Sequence, residues 1–141
     1  MKKVLSVLLA TVLSITTSIS ALADPEPDTP AEPELIEEYQ YTSSISNDLS
    51  ISNYTASCLS TVFGFSGLAT KIEVKQTLQR QIGSSWDYVA SWDKTFNSWY
   101  AIYNTTKSSL VSGTYRLRTI AKVYSGSNYE TIKVFSYTVT C

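Results

Sequence analysis

A chain of 141 residues is long enough for one domain and not for two, and a formal charge of −1 excludes a polycation built for nucleic acid. It has no histidine, which removes the commonest general base and the commonest zinc ligand. The two cysteines, Cys58 and Cys141, lie too far apart in sequence to read as a thiolate metal site.

In chain order, residues 1–23 read as a secretory signal peptide. Lys2 and Lys3 precede a mostly apolar run from Val4 to Ile15, and Ala21-Leu22-Ala23 fits a small-x-small cleavage site. Ser14, Thr16, Thr17, Ser18 and Ser20 leave that run short of the ~20 residues a membrane span needs. No later segment is long or apolar enough to cross a bilayer. The expected mature product is therefore exported, begins at Asp24 and carries no transmembrane segment. Residues 24–38 hold all four prolines and seven acids with no base, and are expected to form an extended or disordered arm. A spacer is the plain reading of this arm; a shield for a basic domain is the sharper one. From Tyr39 onward the balance reverses, with nine bases against five acids.

Residues 39–141 lack proline, show no helical stripe, and are dominated by Ser, Thr, Tyr, Val and Ile. They are expected to form about seven antiparallel strands in an immunoglobulin-like β-sandwich. The spacing predicts a short strand over 39–45 and a second over 51–64, with Ala56, Cys58, Ser60 and Val62 on one face. Over 70–81, Ile72, Val74, Gln76 and Leu78 are expected inward, and Lys71, Glu73, Lys75, Thr77 and Gln79 outward. Gly83-Ser84-Ser85 reads as a hairpin turn, after which Trp86, Tyr88, Ala90 and Trp92 are expected to share a face. Residues 99–103 form another short strand and 104–109 a loop. The clearest alternation is Gly113–Tyr124, which sets Tyr115, Leu117, Thr119, Ala121 and Val123 against Arg116, Arg118 and Lys122. Its Gly-x-Tyr start is that of a late sandwich strand whose tyrosine packs at a corner. Residues 129–139 return antiparallel. Cys58 and Cys141 are expected to form one disulfide, as in other exported chains; two free thiols are the alternative. This is not the usual immunoglobulin bridge, because Leu117 occupies the second cysteine's place.

Thr77-Leu78-Gln79-Arg80, Trp86, Ser91-Trp92, Gly113-x-Tyr115-Arg116-x-Arg118, Val123-Tyr124-x-Gly126 and Glu130 together resemble a family of small exported Firmicutes proteins classed as a domain of unknown function. The resemblance covers about residues 50–138. It implies a secreted, β-rich bacterial protein and carries no catalytic residue, cofactor or metal.

Two groups of residues are candidate contacts. Trp86, Trp92, Trp99 and Tyr100 belong to a crowd of aromatics between 86 and 103 that would serve either as core or as a platform for sugar rings or a protein. Arg116 and Arg118, with Lys122, form a basic strip that could hold an anionic cell-wall polymer or lie solvated. The leading expectation is a non-enzymatic extracellular binding module, its partner a glycan, a cell-wall polymer or an extracellular protein, with no nucleic acid and no cofactor. One alternative is a glycan hydrolase using Asp87, Asp93 or Glu130. The other is a structural protein that oligomerises through an open sheet edge.

Overall fold

The computed structural model describes residues 39–141; the expected signal peptide and acidic arm lie outside the described residues. Eight strands follow one another: β1 (Thr42–Ser52), β2 (Thr55–Gly64), β3 (Lys71–Ile82), β4 (Ser85–Phe96), β5 (Tyr100–Lys107), β6 (Thr114–Ser125), β7 (Asn128–Phe135) and β8 (Val139–Thr140). They form two antiparallel sheets. The first has the order β1-β2-β5 and the second β4-β3-β6-β7, with β8 also paired to β6. Lettered A to G in chain order, with β4 as C′, this is the immunoglobulin-like division of A, B and E from C′, C, F and G. The corner tyrosine is also present: the Tyr115 hydroxyl donates to the Val111 carbonyl at 2.6 Å.

Alternation builds both inner faces. Ala56, Cys58, Ser60 and Val62 of the first sheet are buried against Ile72, Val74, Gln76 and Leu78 of β3 and the inward set of β6. A polar layer divides the resulting core into two apolar clusters. One gathers Val62, Ile72, Val74, Val123 and Ile132; the other gathers Leu49, Cys58, Leu78, Tyr115 and Leu117. Between them the Gln76 amide donates to Ser60 Oγ at 2.9 Å and to the Tyr103 carbonyl at 3.0 Å, and accepts from Thr105. Ser60 donates to Asn47 Oδ1 at 2.9 Å and lies 2.7 Å from Thr119 Oγ1. Asn47 Nδ2 then donates to the Leu117 and Val134 carbonyls. Both side-chain amides use all their hydrogens, so hydrogen bonds offset the cost of burying them, and the layer ties six strands, β1, β2, β3, β5, β6 and β7, in register.

Four local expectations are corrected. Residues 51–64 are not one strand: Asn53 and Tyr54, at φ 50° and 57°, make a two-residue hairpin turn that pairs Ser52 with Thr55. The turn lacks the usual glycine, which hid it. Residues 104–107 are strand rather than loop, held by pairing with Ala56–Leu59. The returning strand breaks at Ser136, whose backbone N–H donates to the Leu117 carbonyl while its hydroxyl accepts from the Leu117 N–H. The aromatics of β4 do not share a face. Leu78 pairs with Ala90 but Gln79 pairs with Tyr88, so Val89 is an extra residue in a β-bulge. Trp86 and Tyr88 therefore point outward, whereas Trp92, opposite buried Gln76, points into the core.

The cysteines are also corrected: neither is bonded. Cys58 faces inward from mid-β2, packed among Leu49, Leu78 and Leu117 as a small apolar residue. Cys141 lies past β8, its backbone paired in both directions with Gly113 and its Sγ 3.6 Å from the Val111 carbonyl. Both touch the same apolar cluster. Burial pushes the Cys58 thiol up to about 11.

Candidate functional site

The six residues singled out as ligand contacts fall in three places. Trp92 packs inward against the second apolar cluster. Trp99 and Tyr100 lie on the first sheet's side, and Trp86, Arg116 and Arg118 lie on the outer face of the second sheet. They do not form one site.

Outward positions of the first sheet follow from its register. Because Cys58, Ser60 and Val62 are buried, Leu59, Thr61 and Phe63 face out, and so do their partners Asn104, Ile102 and Tyr100. Trp99 closes on this group from the end of the preceding loop. The Trp99 and Tyr100 rings meet edge to face with centroids 5.2 Å apart, and Phe63 lies 6.1 Å from Trp99 and 6.4 Å from Tyr100. Trp99 is 39% exposed, Tyr100 44% and Ile102 54%. Asp48 is the one charged residue at an outward register position on β1, β2 and β5; the remainder are mostly Ser, Thr and Asn. The patch thus combines stacked rings, an apolar neighbour and neutral hydrogen-bonding groups. Phe63 was not among the residues singled out from sequence, and its place in an alternating strand before Gly64 was the signal available.

The outer face of the second sheet has the opposite character. Its cations lie over rings. Arg116 is clasped between Trp86 and Phe135, with its guanidinium carbon 4.3 and 4.2 Å from the two centroids, and its Nε donates to Gln79 at 2.8 Å. Lys71 lies over Tyr124 at 4.1 Å, Lys122 over Tyr129 at 5.2 Å and Lys133 over Phe135 at 5.5 Å. The long side chains roof the face, so Thr77 and Gln79, outward as expected, are nonetheless buried on the outer side. Lys71, Lys75, Arg116, Arg118, Lys122 and Lys133 occupy outward positions here against only Glu73 and Asp93. Lys71 and Glu73 pair at 3.5 Å, and Glu73 accepts from the Tyr124 hydroxyl, whose proton is held more firmly by burial and by that carboxylate.

The three acids considered for hydrolysis stand apart. Asp87, opposite Arg80, lines a cleft of about 320 Å³ with Val89, Lys107 and Leu110, whereas Asp93 points outward opposite Lys75. Six residues of strand separate the two by about 18–20 Å, far beyond the roughly 5–9.5 Å a glycosidase pair needs. Glu130 is engaged elsewhere: its carboxylate accepts from the backbone N–H of Gln40 and Tyr41 and from the Thr42 hydroxyl at 2.8–2.9 Å. Among the described residues, no three His, Cys, Asp or Glu side chains gather as a metal site, and no helix is long and apolar enough to cross a membrane.

Comparison with family models, with curated proteins and with solved structures finds no match to this chain.

Proposed function

We propose that this chain is an exported, non-enzymatic binding module that takes neutral glycan on the outer face of its first sheet. One observation carries the reading: Phe63, Trp99 and Tyr100 stack on one another yet leave Trp99 and Tyr100 more than a third exposed, on a face with a single charged residue. A sugar ring offers one apolar face of C–H groups and a rim of hydroxyls. Stacked aromatics meet the first and Ser, Thr and Asn side chains the second. Cell-wall polysaccharide is the glycan an exported bacterial protein meets first, and the resemblance to small exported Firmicutes proteins supports that setting. The wide separation of Asp87 and Asp93 favours binding over hydrolysis.

Titration of intrinsic fluorescence with neutral oligosaccharides tests the reading. The expected result is a saturable change that disappears in Trp99→Ala and in Tyr100→Ala and persists in Trp86→Phe. No response to any neutral glycan, or a response unchanged in Trp99→Ala, overturns it.

A further inference from the structure

We propose that the acidic, proline-rich residues 24–38 dock on the outer face of β3, β6 and β7 and cover its cations. The shield reading of the arm thereby acquires a named surface.

Charge is the first argument. Seven acids and no base in 24–38 meet a face with six bases against two acids. Chemistry of the surface is the second. Proline-rich segments adopt polyproline II and pack their rings on aromatic side chains. The face offers the Tyr124–Tyr129 pair, with centroids 5.1 Å apart and Tyr129 53% exposed, and Lys71 and Lys122 lie directly over those rings. The alternating Asp24-Pro25-Glu26-Pro27-Asp28 supplies rings and carboxylates in turn. Further along the face, the buried Nε of Arg118 has no hydrogen-bond partner among the described residues.

Position is the third argument. The Glu130 carboxylate pins Gln40 and Tyr41 to β7, so the described chain begins at that edge of the second sheet. Glu130 is flanked in sequence by Tyr129 and Thr131, both on the basic face. Fifteen residues at about 3.1 Å each reach about 45 Å, whereas four strands spaced about 4.8 Å apart span only about 15 Å. A tethered segment also competes at an effective concentration in the millimolar range, so even weak complementarity keeps it in place against a free polyanion.

Zero-length carbodiimide coupling of the arm-bearing protein, read by mass spectrometry, tests this without reference to any glycan. Lys71, Lys75, Lys122 and Lys133 lie on the face, while Lys94 and Lys107 lie off it and serve as internal controls. The expected result is amide bonds from carboxylates of 24–38 to the four face lysines, about fivefold or more above the controls. They should fall away as salt rises from about 0.02 to about 0.5 M and the Debye length shrinks from about 20 to about 4 Å. Mixed labelled and unlabelled protein should give couplings within one chain. Couplings spread evenly over all six lysines, none at all, or couplings mainly between chains would overturn the proposal, the last by making a second copy the occupant. As a second readout, replacing the seven acids by Asn and Gln should strengthen binding of polyglutamate about tenfold; unchanged binding counts against the proposal.

Discussion

The two outer faces of the sandwich are built from the same alternation and end with opposite properties. On the second sheet the outward side chains are long and cationic, and they lie down across rings, so that Thr77 and Gln79 beneath them are dry. On the first sheet they are mostly short and neutral, and the rings at its edge are partly open to water. Outward register alone therefore does not make a surface available. What stands beside a residue on the neighbouring strands decides whether it stabilises the fold or is free for a ligand.

The seam between the sheets sets the scale for both faces. Gln76→Ala strands the Thr105 hydroxyl and the Tyr103 carbonyl and leaves a hole, and should cost about 3 kcal/mol in urea unfolding. A cost below about 1 kcal/mol would mean the polar layer is not what holds the sheets in register.

The inner side of the first sheet supplies the next test, through pH. Cys58 is raised to about 11 in the folded state, above its unfolded value, so its neutral thiol adds stability that is complete below about pH 8.5 and lost as pH rises through 11. Relative to Cys58→Ala, the parent protein should lose about 2 kcal/mol between pH 8 and 11. A parallel decline in both proteins would refute the burial argument. In native protein at pH 8, one thiol, Cys141, should react rapidly with a disulfide reagent and Cys58 only on unfolding.

Outer-face substitutions then set the two sheets directly against each other. Arg116→Ala removes two ring contacts and opens the roof over Gln79, and should cost about 1–2 kcal/mol. Trp99→Ala removes ring contacts with Phe63 and Tyr100 at a partly exposed site and should cost less, about 0.5–1 kcal/mol, yet abolish the glycan response. If the two destabilise equally in the same urea series, the division into a structural face and a free face fails.

Several features were legible early because they are local. The two-residue rhythm placed Ile72, Val74, Leu78, Leu117 and Val123 inside, and Gly-x-Tyr placed Tyr115 at its corner. Other features were hidden because they depend on a neighbour. One extra residue, Val89, flips Trp86 and Tyr88 away from Trp92, and nothing in the local pattern of β4 marks it; the partner strand β3 defines it. Thr77 points outward, as its parity predicts, but Arg118 stands opposite it and it is buried. The candidate contacts suffered most, since Trp86, Trp92 and Trp99 sit close in sequence but in three different environments.

By itself the amino-acid order determined that residues 39–141 would make strands and which side of most of them would hide from water, because side-chain direction in a strand is a matter of parity. It also set the opposed charges of the arm and the domain. Only the tertiary structure decided which outward side chains lie covered and which stand free, and that the two cysteines are unbonded. Those outcomes depend on which strands become neighbours, and strand pairing joins residues distant in the chain.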